Sequence, residues 1–244
     1  MSGLRVACLA TGMKRVILPH SWTEIVGLNC RFSRARNRNA GDRSEICSAP
    51  AGRSHRRVCA SSARTVMAVS RLLEFYSGHS PNSRGRYLRQ LQSQSFDDLE
   101  HVHDYIQWMF PLLERSAYNV NAPVLSTSDV VEFRRDERLR CALLESFAVM
   151  LKFYGIDKTE SDGIVRVTSA STFPVRSTLW LQPGNHNFLR ITRILRSLCL
   201  LGCRSYATAL FEWLQTLYAK HAPIIGEDTF RYWTRAVLSD ESSE

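Results

Sequence analysis

From Met67 onward, apolar residues return at steps of three and four, and that period confines the chain to packed helices. Val69, Leu72, Leu73 and Tyr76 share one face, and Gly78 stands where a left-handed cap would end the segment. Tyr87, Leu88 and Leu91 mark a shorter helix after the Pro81-Asn82-Ser83 turn. Ser95 followed by Asp98 is a capping-box-like start, and Leu99, Val102, Ile106, Met109 and Phe110 form one stripe up to Pro111. A loop holding Pro and Asn then runs to Leu125. Ser126 with Asp129 repeats the capping signature. Asp136 opens a long helix carrying Leu139, Leu143, Phe147, Met150 and Tyr154, which Gly155 closes.

Residues 156–184 lose the period. Ile164, Val165 and Val167 read as strand, but a single strand has no partner. The stretch is therefore expected to be a long ordered loop with a helical turn near Leu179-Trp180. After Pro183-Gly184 the pattern resumes with Ile191, Ile194, Leu195, Leu198 and Leu201, and Gly202 ends it. Ser205 is placed to cap the next helix, which carries Leu210, Trp213, Leu214 and Leu217. Asp228 opens a last one with Phe230, Trp233 and Val237. No segment repeats. The expected fold class is all-α, a single irregular helical bundle of about seven or eight helices over residues 67–244.

Residues 1–66 differ in kind. They hold 12 of the 32 Lys and Arg but 3 of the 23 Asp and Glu, which leaves 20 of each sign from Met67 on. The whole net charge of +9 therefore belongs to this leader. Rich in Arg and Ser and without lasting period, it is expected to be disordered, as a transit peptide or spurious upstream sequence. A nucleic-acid tail is the third explanation, confined to the leader. The balanced domain has no positive excess of its own, so nucleic acid is not its expected partner. No run approaches the eighteen or so apolar residues of a membrane helix; the longest, Leu198 to Cys203, is far shorter. Cys141, Cys199 and Cys203 sit among apolar helical residues and read as structural thiols of a reducing, intracellular compartment.

Chemistry is weakly signalled. There is no GxGxxG and no Walker-type run, so no cofactor is expected. On a continuous helix His101 and His103 would point about 200° apart and could not share a metal. Asp104 and Tyr105 follow His101 at helical spacing and give a polar face. Pro183-Gly184 leads into Asn185-His186-Asn187, where Asn185 or Asn187 could cap the following helix, and Arg190, Arg193 and Arg196 then stand three apart. Those arginines have two readings: an anion or peptide-carboxylate site at a helix N-terminus, or pairing with Asp104 or Glu100 of a packed neighbour. Trp108 and Trp180 suit core anchors. The ligand-binding candidates are His101, Asp104, Tyr105, Trp108, Asn185, His186, Asn187, Arg190 and Arg193. No catalytic or metal-ligating residue is assigned. The alternative is a hydrolase or metal-dependent enzyme built on His101, Asp104 and His186.

Four runs taken in order carry a resemblance: Leu73-Glu74-Phe75-Tyr76-Ser77-Gly78, the stretch His103 to Leu112 (HDYIQWMFPL), Phe153-Tyr154-Gly155, and Asn185 through Leu198. Together they resemble the conserved N-terminal domain of the opioid growth factor receptor family, over residues 72–237. That resemblance implies an all-α domain and, for animal members, receptors for an enkephalin-type peptide. It also implies peripheral association with nuclear and perinuclear membranes without a spanning helix. No counterpart of the long repeat-bearing extension of vertebrate members is expected after Val237. The expected function is a non-enzymatic module that binds a peptide or protein segment in a groove between helices.

Overall fold

The computed structural model describes residues 70–116, 119 and 121–238; the basic leader over 1–66 and the apolar Val69 lie outside them. In chain order the described elements are α1 (Arg71–Tyr76), α2 (Leu88–Gln92), α3 (Phe96–His101), α4 (Ile106–Met109), α5 (Thr127–Arg135) and α6 (Glu137–Tyr154). A hairpin follows, β1 (Ile156–Ser161) and β2 (Ile164–Ser169), then α7 (Phe173–Trp180), α8 (Asn187–Leu200), α9 (Arg204–Ile225) and α10 (Glu227–Leu238). The fold is all-α with one small sheet. No helix among the described residues is long and apolar enough to cross a membrane.

Capping chemistry starts the helices where the sequence places it. Ser95 Oγ accepts from the Asp98 amide at 3.1 Å and begins α3. Ser126 and Asp129 bond each other's backbone reciprocally, at 3.1 and 2.8 Å, and begin α5. Asp136 Oδ1 takes the Arg138 amide at 2.8 Å, and Gly155, at φ 77°, ends α6. That left-handed turn is also a close approach: a Cβ on Gly155 would lie 2.8 Å from Phe173 Cα.

Three expectations change. The stripe from Leu99 to Phe110 is not one helix, because the backbone turns extended at Val102 (φ −88°, ψ 127°) and resumes as the short α4. The expected loop over 156–184 contains the hairpin and α7. Its strands pair antiparallel, Ile156 opposite Ser169 through Ser161 opposite Ile164, around Asp162-Gly163. Both turn residues have positive φ, 54° and 75°, as a tight type I′ connection needs. Strand β1 (IDKTES) hides from pattern reading because only Ile156 is buried. Ser205 does not cap α9, which starts two residues earlier, at Arg204, with Cys203 at its N-cap and no side-chain bond. These breaks raise the helix count to ten among the described residues.

The core gathers where α8 packs against α9 and α10, and α6 against α5, β1 and α7. Trp180, Trp233, Tyr105, Phe75, Phe110, Phe133, Phe147 and Phe153 are among its fully buried side chains. Both indoles bury with a partner: Trp180 Nε1 donates to the Tyr154 carbonyl at 3.1 Å, and Trp233 Nε1 to that of Phe188 at 3.0 Å. The cysteines Cys141, Cys199 and Cys203 are unbridged, and burial pushes the Cys203 thiol up to about 12.

Candidate functional site

The polar face of α8 is a seam with the irregular segment from Leu99 to Glu114. Arg190 is 5% exposed and donates Nη1 to the Leu99 carbonyl at 2.8 Å and to Asn187 Oδ1 at 3.1 Å. Its Nη2 donates to the carbonyls of Glu100, at 3.2 Å, and Val102, at 3.3 Å. The guanidinium thus takes the carbonyls that α3 leaves open where its backbone turns away. One turn on, Arg193 Nε donates to the Phe110 carbonyl at 2.7 Å, and Ser197 Oγ to that of Pro111 at 3.0 Å. Arg196 pairs with Glu114. Burial, with Arg196 nearby, lowers the Arg193 guanidinium to about 10.

Where α3 ends beside the start of α8, the charges are exchanged. Glu100 of α3 accepts from Asn187 Nδ2 at 3.1 Å, and Arg190 of α8 caps α3. Asn187 is fully buried and also donates to Asn185 Oδ1 at 3.0 Å; that same oxygen takes the Asn187 amide at 2.9 Å. Asn185 therefore stabilises the start of α8, while Asn187 belongs to the interior. Tyr105 is buried beneath Arg190, its hydroxyl donating to the Leu99 carbonyl at 3.0 Å, and burial raises its phenol well above the usual range.

The sequence candidates fall into separate places. Tyr105, Asn187, Arg190 and Arg193 are inside the seam and meet protein. Of the two expected carboxylate partners, Glu100 serves; it lies 3.9 Å from Arg190 Nη1. Asp104 is held instead by Arg84 Nε at 2.8 Å and Arg86 Nη2 at 2.7 Å. His101 is exposed and leans back on Asp97, its Nδ1 2.9 Å from the carbonyl oxygen. His186 Nε2 lies 3.5 Å from Glu100 Oε1, outside hydrogen-bond geometry, and its ring is 5.0 Å from that of His103. Burial, helped by Arg190 and His103, lowers the His186 imidazole below its ordinary value despite Glu100. His101, Asp104 and His186 thus take three different partners. Among the described residues no group of three or more His, Cys, Asp and Glu could hold a metal.

Trp108 stands apart from the seam. It is 2% exposed, packs edge-on against Phe75, and lines a cleft of about 280 Å³ with Ser70, Arg71, Leu72, Asp129 and the strip Asn121-Ala122-Pro123-Val124. Four side-chain groups on these walls have no hydrogen-bond partner among the described residues. They are the indole N–H of Trp108, the guanidinium of Arg71, which rests 5.7 Å over the Trp108 ring, Asp129 Oδ1 and the side-chain amide of Asn121. Asp129 Oδ2 is occupied by the α5 capping box. Sequence reasoning found Trp108 and missed Arg71, because an exposed arginine at the start of a short helix carries no pattern.

The family model described as "Opioid growth factor receptor (OGFr) conserved region" matches residues 69–243. The chain belongs to the opioid growth factor receptor family. It is 32% identical over 171 residues to mouse "Opioid growth factor receptor-like protein 1", covering 68% of this chain and 36% of that protein. It is 36% identical over 145 residues to the rat "Opioid growth factor receptor", covering 59% of this chain and 24% of that protein. The human "Opioid growth factor receptor" is 34% identical over 147 residues, with 59% and 21% covered. The chain thus spans about a third or less of these curated relatives' length. No solved structure matches. Of the runs that carry the family resemblance, Asn185 to Leu198 forms one side of the seam and His103 to Leu112 part of the other.

Proposed function

We propose that this opioid growth factor receptor-family domain is a non-enzymatic module that binds a peptide or protein segment in the Arg71–Trp108–Asp129 cleft. The observation that carries the reading is the set of polar groups around an indole that bond no other protein group and open onto one cleft: the Trp108 N–H, the Arg71 guanidinium and Asp129 Oδ1. At about 280 Å³ the cleft is at the small end of ligand sites, room for one or two residues of a longer segment. It is an anchor pocket. The seam is the scaffold that holds it: Arg190 and Arg193 take the Val102 and Phe110 carbonyls on either side of α4, which carries Trp108.

The rat and human relatives are named opioid growth factor receptor and the mouse one receptor-like, which supports a peptide as the ligand class. The test is fluorescence anisotropy of labelled peptides with the full chain: an enkephalin-type pentapeptide and pools of randomised tetrapeptides. Ala122→Trp, which fills the cleft, is expected to abolish the binding seen with the unmodified chain. Binding that survives Ala122→Trp puts recognition elsewhere and refutes the assignment of the cleft.

A further inference from the structure

Donors outnumber acceptors on the cleft walls, and this imbalance points to the ligand's chemistry. Arg71 offers a planar fork of N–H groups, and no described residue pairs with it. Its position over the Trp108 face orients the fork without using any of its hydrogens. Trp108 adds one more N–H, from a side chain that is otherwise buried. Against these stand two free side-chain acceptors, Asp129 Oδ1 and Asn121 Oδ1. The charge of Asp129 is already partly offset, since the carboxylate sits in the first turn of α5 and takes the Ser126 amide. The cleft therefore offers more free side-chain donors than acceptors, with Asp129 Oδ1 beside them for an N–H.

We infer that the cleft recognises the C-terminal carboxylate of a peptide, gripped by Arg71 and Trp108 Nε1–H, with Asp129 Oδ1 accepting an amide N–H of the same chain end. The inference rests on the peptide-binding reading above. A free inorganic anion would leave Asp129 without a role and facing it with like charge. A terminal residue supplies the carboxylate and the neighbouring amide together. An aspartate or glutamate side chain has the carboxylate but not the adjoining N–H at the same spacing, so it is the weaker source of the same group.

Three pools of fluorescein-labelled randomised tetrapeptides separate these cases on the full chain: free C-terminal acid, C-terminal amide, and C-terminal amide with glutamate fixed at the last position. The free-acid pool is expected to bind at least about tenfold more tightly than the amide pool, with the glutamate pool between them. Arg71→Ala is expected to erase that preference and Arg71→Lys to keep part of it. Because Arg71 is exposed, neither substitution disturbs the core. Equal binding of acid and amide pools, lost in Ala122→Trp, overturns the carboxylate assignment and leaves the cleft as a peptide site. A glutamate pool that matches the acid pool overturns recognition of the chain end. Absence of saturable binding by every pool overturns both readings.

Discussion

Replacing Arg190 by alanine separates a structural tie from a ligand contact. Four hydrogen bonds leave with the guanidinium, to the carbonyls of Leu99, Glu100 and Val102 and to Asn187 Oδ1. A bond from a charged donor contributes about 1 kcal/mol or more net, and each buried acceptor left unmet adds desolvation cost. Glu100 also loses its neighbouring cation at 3.9 Å. The sum is about 3–5 kcal/mol, in the range found when one partner of a buried charged group is removed. Against a total stability of about 5–15 kcal/mol, that is a large fraction. With a urea slope of about 2 kcal/mol per molar, the unfolding midpoint falls by about 1.5–2.5 M at unchanged slope. Arg190→Lys keeps the charge but not the fork, and loses about half as much. The measurement is urea unfolding followed by circular dichroism, with hydrogen exchange at α3 and the start of α8 expected to accelerate. A midpoint within about 0.3 M of the unmodified chain would refute the argument. If peptide affinity collapsed at the same time, Arg190 would be a ligand contact after all.

The remaining expectations each isolate one physical cause. His186 titrates lower in the folded chain than its ordinary 6.5, so the unfolded state binds its proton first. Its contribution to stability is whole above pH 6.5 and declines as the pH falls below it; His186→Gln should flatten unfolding midpoints measured from pH 7.5 down to about 5. Gly155→Ala should cost about 2–4 kcal/mol in chemical unfolding, since its Cβ would meet Phe173 Cα at 2.8 Å and Arg176 Cβ at 2.9 Å. Gly163→Ala has the same sign of φ but open space around it, and should cost only the about 1–2 kcal/mol of left-handed strain. Equal losses at the two glycines would contradict the packing argument. Cys203, with its thiol raised to about 12, should resist iodoacetamide at pH 8 in the folded protein and react once urea unfolds it, read by peptide mass mapping.

Much of this fold was legible because local chemistry and final structure agree. Ser95, Ser126 and Asp136 cap where their sequence context says they should, and the stripes of α6, α8 and α9 are buried on the expected faces. The failures share a cause: they depend on groups distant in sequence. The stripe Leu99, Val102, Ile106 fits one helix, yet the chain leaves the helix at Val102 because Arg190, about ninety residues on, takes the carbonyls. The same arginine reads from sequence as an anion site or a partner of Asp104 or Glu100, not as a cap on carbonyls, because periodicity cannot see what lies opposite a helix face. The hairpin had a local signal, Asp162-Gly163, which the polar composition of β1 masked.

Family likeness and ligand choice are therefore written in different residues. The run from His103 to Leu112 and the run from Asn185 to Leu198 meet where Arg193 takes the Phe110 carbonyl, Ser197 that of Pro111, and Arg190 covers Tyr105. Their shared presence accounts for a common scaffold without reference to a ligand. Arg71 and the strip Asn121–Val124 lie outside the runs that carry the resemblance, and they form the cleft walls that face Trp108. A relative could keep both sides of the seam, replace the residue at Arg71, and so retain the fold while exchanging the peptide end it recognises. Substitutions in the seam should consequently lower stability and affinity together, whereas substitutions at Arg71 should change affinity at constant stability. Arg71→Ala lowering the urea midpoint as much as Arg190→Ala would show that this division of labour is false.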